Sequence, residues 1–162
     1  RELTMNKINL EFTLNQQKVS CESYSMNRAL DLLREDLHCT GIKEGCGEGE
    51  CGACSILLNG KLVNSCLIPA MELDGAEVVS IEGLCQAQTL NSIQSAFHQY
   101  GGAQCGICTP GMIVAAKDLL NKNPHPTRED VRTALAGNLC RCTGYMKIFD
   151  SVLAACQKEM NS

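Results

Sequence analysis

Eight of the twelve cysteines in this 162-residue chain fall into two groups whose spacing could hold iron. Cys46, Cys51 and Cys54 follow a C-x4-C-x2-C pattern among Gly45, Gly47, Gly49 and Gly52, and Cys66 follows after a short apolar hairpin. That is the spacing at which a loop wraps a [2Fe–2S] cluster. Four thiolates must converge on two irons while backbone N–H groups approach the sulfurs, and glycine permits this because it reaches φ > 0. The second group, Cys105-x2-Cys108 and Cys140-x-Cys142, sits just before one predicted helix and just after another. Helix N-terminal N–H groups favour anionic sulfur, which suits a thiolate-bound, net negative cluster. The spacing of this second group alone leaves a structural zinc open, since four cysteine thiolates also hold zinc tetrahedrally. A Rieske centre needs two histidine ligands, and His38, His98 and His125 lie near no cysteine pair. Cys21, Cys39, Cys85 and Cys156 stand alone and read as ordinary buried thiols.

The composition narrows the classes of function. The length suits one domain or two small ones, and two small halves with modest cores gain from metal staples. Aromatic residues are scarce, with three Phe, three Tyr and no Trp, which argues against a large aromatic ligand pocket. The net charge is −4 with both signs interspersed, so no basic stripe points to nucleic acid. No apolar run approaches the roughly 18 residues of a membrane span, and the polar N-terminal stretch has neither a signal-peptide core nor a twin-arginine signal. We therefore expect no membrane span and a cytoplasmic setting, where cysteines serve metals or catalysis rather than disulfides. Arg1 to Thr4 precede Met5 and are left out of the fold.

The elements that must position these thiols follow from the pattern. Residues 7–15 alternate apolar and polar through Ile8, Leu10, Phe12 and Leu14, a half-buried strand. Asn15-Gln16-Gln17 turns it into a second strand near residues 18–23. From Asn27 the period is helical, with Leu30, Leu33 and Leu37 on one face, Asn27 as N-cap and Gly41 as stop. Residues 55–58 and 61–65 form a hairpin around Asn59-Gly60, a type I′ signal, which brings Cys66 back beside Cys54. Residues 77–81 make one more strand. Beyond 83–88 the pattern becomes helical. Asn91 and Gln94 form a capping box before Ile93, Ala96, Phe97 and Tyr100, and Gly101-Gly102 ends that helix. Thr109 caps a helix with Pro110 in its first turn, Thr127 caps a third that stops at Gly137, and residues 145–158 form a fourth. The predicted fold is α+β, with a ferredoxin-like β-grasp domain over residues 5–83 and a four-helix bundle over 84–162.

At Gln104-Cys105-Gly106-Ile107-Cys108-Thr109-Pro110-Gly111 and Gly137-Asn138-Leu139-Cys140-Arg141-Cys142-Thr143-Gly144-Tyr145 the chain resembles the small iron–sulfur subunits of the molybdenum hydroxylases, the xanthine oxidase family. The resemblance runs from about Lys7 to Lys158 and is specific, because two different four-cysteine patterns occur in the family's order and spacing. It implies two [2Fe–2S] clusters. One, on Cys46, Cys51, Cys54 and Cys66, lies on the flavin side. The other, on Cys105, Cys108, Cys140 and Cys142, lies nearest the molybdopterin, which Gln104 and Cys142 approach. It also implies a large subunit carrying the molybdenum cofactor, a medium subunit carrying FAD, and a dimer of heterotrimers. On this reading the chain relays single electrons, has no substrate-converting site and contains no catalytic residue of its own. Two other classes stay in view: a free-standing soluble ferredoxin, and a zinc-stapled interaction module. Glu44, Glu48 and Glu50 around the first loop read as solvated charge.

Overall fold

In a computed structural model the chain is described over residues 6–85 and 89–160, with side chains of the last helix described as far as Gln157. Arg1 to Thr4, the proposed domain limits at 5 and 162, and residues 86–88 of the predicted change of pattern lie outside the described residues.

Strands β1 (Lys7–Leu14) and β2 (Gln17–Tyr24) pair antiparallel, Leu14 against Gln17 and Lys7 against Tyr24. Leu10, Phe12 and Leu14 are buried on one face, as the alternation predicted. The turn between them is two residues long rather than three. Asn15 and Gln16 both take positive φ, 50° and 69°, the type I′ geometry whose twist matches the strands. The Asn15 side chain anchors that turn: its Oδ1 accepts from the Ser80 N–H and its amide donates to Ser80 Oγ, each at 2.9 Å.

The sheet is completed by β3 (Ser55–Leu58), β4 (Lys61–Asn64) and β5 (Glu77–Val79), in the order β2-β1-β5-β3-β4. β5 runs parallel to β1 and antiparallel to β3. Asn59 and Gly60, at φ 50° and 74°, make the tight turn of β3 and β4 that the sequence signals. β5 stops two residues earlier than predicted. Ser80 is held by Asn15, and Ile81–Leu84 winds into a 3-10 turn whose Ile81 and Leu84 pack on the second core.

The first helix departs most from expectation. α1 spans only Ala29–Asp31 and continues as a π-helical turn over Leu32–Asp36, with the Leu37 N–H reaching the Leu32 carbonyl. Arg28, not Asn27, is the N-cap, and no side chain caps it. Asn27 instead donates from its amide to Ser23 Oγ, while its carbonyl accepts from the Ala70 N–H at 2.7 Å. The helix is over before Gly41, with His38 turning the chain at φ 57°. Leu30, Leu32 and Leu33 are all fully buried, so tertiary packing carries this segment where a regular 3.6-residue period does not.

Four helices follow: α2 (Ser92–Tyr100), α3 (Thr109–Lys122), α4 (Arg128–Ala134) and α5 (Met146–Met160). Ile93, Phe97, Met112, Val131, Leu135, Ile148 and Val152 form their common core, distinct from the core of Leu10, Leu30, Leu33, Ile56 and Val78 under the sheet. Tyr100, expected on the buried face of α2, is 44% exposed. Gly101 ends α2 in the left-handed region, and Thr127 and Asp130 make the capping box of α4. α4 ends at Ala134, ahead of Gly137. Thr109 does not cap α3; Cys108 precedes its first turn. No helix among the described residues is long and apolar enough to cross a membrane.

The α2 cap gives a direct stability test. Asn91 Oδ1 accepts from the Gln94 N–H at 2.8 Å, and Gln94 Oε1 accepts from the Asn91 N–H at 3.0 Å. Asn91→Ala is expected to cost about 1 kcal/mol, the usual loss for an N-cap, read as a lower midpoint in urea unfolding of the holo chain.

Candidate metal centres

The first four cysteines come together where the hairpin returns to the glycine loop. The Asn64 amide donates to the Gly49 carbonyl at 2.6 Å, and the Ser65 hydroxyl donates to the Cys54 carbonyl at 2.8 Å. Both bonds fix Cys66, carried on the turn Ser65–Leu67, beside Cys54. The Cys46 sulfur accepts N–H groups from Glu48 at 3.3 Å and from Glu50 and Cys51 at 3.4 Å, and the Cys46 N–H points to the Cys51 sulfur at 3.3 Å. These donors pull the Cys46 thiol down to about 7. Burial, then contact with Cys54, pushes Cys66 up to about 11. Cys46 and Cys51 are tied together by reciprocal N–H to sulfur contacts, and Cys66 lies close enough to Cys54 to be shifted by it. The loop passes under Leu67 at Gly49, φ 82°, where a Cβ would run into the leucine side chain. Glu44 is more than solvated charge, since it accepts from Arg28 at 2.7 Å while Arg28 also forks onto Asp31. Glu48 and Glu50 are exposed as expected.

The second four converge from the two helix ends the sequence named. Cys108 is buried at the head of α3, Cys140 is half-buried, and Cys105 and Cys142 are exposed. Cys108 lies close enough to Cys140, and Cys105 to Cys142, for each to shift its neighbour's titration. Burial, then the Cys140 contact, pushes Cys108 up to about 12. Burial raises Cys140 as well, but the Thr143 hydroxyl, the Thr143 N–H and the Cys142 N–H outweigh it and leave Cys140 at about 7. Contact with Cys105 raises Cys142. Thr143 and Tyr145 shape this loop. Thr143 Oγ1 lies 3.1 Å from the Cys140 sulfur, and the Cys140 N–H donates to the Tyr145 hydroxyl oxygen at 2.9 Å. Gln104 is exposed next to Cys105, and Ile107, Leu139 and Met146 expose apolar side chains on the flanking segments.

Both sets fit a cluster in their donor chemistry. Backbone N–H groups already point at sulfur in the first. In the second, Thr109 Oγ1, directly after Cys108, is buried without a hydrogen-bond partner, a state that a nearby sulfur acceptor relieves. Among the described residues no three His, Cys, Asp or Glu side chains are placed around one point to hold a single ion. A binuclear cluster asks for a different arrangement, two thiolates to each of two irons. Of the isolated cysteines, Cys39 and Cys156 are buried, whereas Cys21 and Cys85 are only half-buried; Cys85 donates to Gln94 Oε1 at 3.2 Å.

The most consequential residue that the sequence reading passed over is Asn138. It is 3% exposed and donates its amide to the Gly52 carbonyl at 2.9 Å, joining the two cysteine sets. Its only sequence signal is its place two residues before Cys140.

Known proteins resemble this chain over most of its length. The family described as a [2Fe-2S] binding domain matches residues 80–153. The small FeS subunit of nicotinate dehydrogenase from Eubacterium barkeri is 46% identical over 97% of this chain and 100% of its own length. A chain from Bacillus subtilis described as a probable component of xanthine dehydrogenase is 45% identical over 97% of this chain and 90% of its own. The crystal structure of quinoline 2-oxidoreductase from Pseudomonas putida 86 contains a chain that superposes with a TM-score of 0.92 at 37% identity, covering 96% of this chain and 98% of that one. With that likeness extending over both cysteine sets, the chain belongs to the small iron–sulfur subunits of the molybdenum hydroxylases, electron-transfer components of oxidoreductase complexes.

Proposed function

We propose that this chain is the relay between a molybdenum cofactor on a large subunit and FAD on a medium subunit, through two [2Fe–2S] clusters. Cys46, Cys51, Cys54 and Cys66 would hold the flavin-side cluster, and Cys105, Cys108, Cys140 and Cys142 the molybdenum-side one. Bound there, the clusters supply one-electron redox chemistry at potentials set by burial, hydrogen bonds to sulfur and local charge. The observation that carries this reading is how the loops bring each set together: the Ser65 hydroxyl on the Cys54 carbonyl holds the turn of Cys66 against the first loop, backbone N–H groups point at the Cys46 sulfur, and Thr143 lies against the Cys140 sulfur in the second.

The residues around each set have separate tasks. The N–H groups of Glu48, Glu50 and Cys51 donate to the Cys46 sulfur and favour its thiolate form. Thr143 does the same for Cys140. Exposed Cys105 and Cys142, with Gln104 beside Cys105 and Ile107, Leu139 and Met146 nearby, make the edge that would face the large subunit. Gln104 would hydrogen-bond the pterin through an amide that both donates and accepts, and Cys142 would be the ligand next to it. The first half, residues 5–83, is read as a ferredoxin-like β-grasp domain and residues 84–162 as a four-helix bundle domain. The assembly would be a cytoplasmic dimer of heterotrimers. The substrate pocket then belongs to the large subunit.

Iron analysis tests the assignment. About four irons and four sulfides per chain with two reduced EPR signals are expected from two [2Fe–2S] clusters. A colourless protein with about two zincs per chain would sink it. Gel filtration separates the remaining class: co-elution with molybdenum and flavin subunits supports the relay, whereas a small monomer that passes electrons without them supports a free-standing ferredoxin.

A further inference from the structure

Among the described residues one buried side-chain polar atom lacks a hydrogen-bond partner: the hydroxyl oxygen of Thr109, in the first turn of α3 directly after Cys108. A hydroxyl both donates and accepts, and burial without a partner costs it the hydrogen bonds it makes in water. Its two ordinary outlets are closed. A helical threonine can return its proton to the carbonyl four residues back, but residues 104–108 are a bent loop with Gly106 at φ 90°, and the Cys105 carbonyl is not part of the helix. A capping threonine accepts from an amide of the first turn, but here Cys108 is the N-cap and its carbonyl takes the Met112 N–H at 3.0 Å. Water is shut out as well. The head of α3 is pressed onto the glycine loop, where a Cβ on Gly111 would run into the Gly52 carbonyl. That carbonyl already accepts from the Asn138 amide at 2.9 Å and from the Ser55 hydroxyl at 2.7 Å. Beside it the Leu139 N–H closes onto the Cys51 carbonyl at 2.9 Å.

The acceptor that the chemistry of the site leaves for this hydroxyl is sulfur. Thr143 sets the precedent within the same set: the Tyr145 N–H donates to Thr143 Oγ1 at 3.2 Å, which leaves the hydroxyl proton for the Cys140 sulfur at 3.1 Å. We propose that the Thr109 hydroxyl donates to a sulfur of the cluster on Cys105, Cys108, Cys140 and Cys142, and that this bond raises the reduction potential of that cluster alone. This rests on the two-cluster reading above. The physical reason is charge. Reduction by one electron makes the cluster more negative, and a hydrogen bond strengthens with the charge on its acceptor, so the donor stabilises the reduced form more than the oxidised one. Hydrogen bonds to the sulfurs are among the features that set iron–sulfur potentials. Thr109 keeps its proton throughout. It shifts an equilibrium, and no bond forms or breaks.

The test uses the assembled complex with Thr109→Val, which keeps the shape and drops the hydroxyl, and with Thr109→Ser, which keeps the hydroxyl. Redox titration followed by EPR gives each reduced signal its own midpoint. In Thr109→Val the signal lost on Cys108→Ala is expected to shift about tenfold in its reduction equilibrium, about 59 mV lower for one electron, while the other signal stays where it is. Thr109→Ser should titrate as the wild type does. A hydroxyl with no acceptor gives a different pattern: valine then leaves both midpoints in place and makes the complex harder to unfold, because a buried unpartnered group has been removed. That result overturns the proposal, and so do equal shifts of both signals. Iron lost from Thr109→Val but kept in Thr109→Ser still assigns the hydroxyl to the cluster. Iron lost from both overturns the assignment, since serine retains the donor. Iron analysis of the wild-type complex separates the two ideas: fewer than two clusters removes the relay itself, whereas two clusters with variant-independent midpoints removes only the role of Thr109.

Discussion

If each thiol set holds a cluster as proposed, alanine at Cys108 is expected to strip one and leave the other. Cys108 is 8% exposed at the head of α3 and touches Cys140. It is also the member of its set most enclosed by the helical core, among Met112 and its neighbours. On the proposed assignment its loss leaves one iron short of a ligand in a set whose outer pair is already exposed. The variant should retain about two irons per chain, lose one of two reduced EPR signals, and keep the signal of the Cys46 set. Electron delivery to flavin should fall to background. Because metal binding is coupled to folding, the helical half should also unfold earlier on heating. Cys156→Ala serves as the control: Cys156 is buried in the same core but donates to the Val152 carbonyl within its own helix, so the iron content should not change. Full iron with both signals in Cys108→Ala would remove Cys108 from the ligand set.

Gly111→Ala is expected to destabilise the chain although alanine is the better helix former. Helix propensity alone would favour the change by about 1 kcal/mol. Against it, the added Cβ meets the Gly52 carbonyl and comes within 3.2 Å of the Asn138 amide nitrogen. One of those neighbours is backbone, tied down by Asn138 and Ser55, and cannot swing aside as a flexible side chain would. Overpacking of this kind costs about 1–3 kcal/mol, so we expect a net loss and a lower midpoint in urea unfolding. On the proposed assignment, the cluster on the Cys46 set should also become more labile, since Gly52 directly follows Cys51. Gly137→Ala is the contrast: a Cβ there meets nothing within 4 Å and the backbone is not left-handed, so little change is expected. Equal midpoints for Gly111→Ala and the wild type would mean that the two halves meet less tightly than described.

What could be read ahead of the fold was whatever depends on neighbours in sequence. The Asn59-Gly60 turn needs two left-handed residues in succession, and the chain supplies residues that tolerate them. The capping box at Asn91 and the cap at Thr127 close within three residues. The cysteine groups are legible because each set takes most of its members from short loops. Even the return of Cys66 to Cys54 follows from one hairpin.

The misreadings share the opposite property. Asn27 looks like a cap but is claimed by Ser23 and Ala70. The π-helical turn after Asp31 follows no local signal and survives because Leu30, Leu32 and Leu33 are all buried. Thr109 has the residue type of a cap, yet its hydroxyl is buried without a partner beside Cys108. Asn138 is the clearest case, since its partner Gly52 lies 86 residues away. By itself the sequence determined the two sets of thiols, the loops that carry them and the family to which they point, because backbone sterics and short-range hydrogen bonds act within a few residues. Only the tertiary structure decided how the sets are joined: a buried amide and two glycines without side chains bring Cys51 to Leu139, and no local pattern encodes a contact between segments that meet only when both cores have formed.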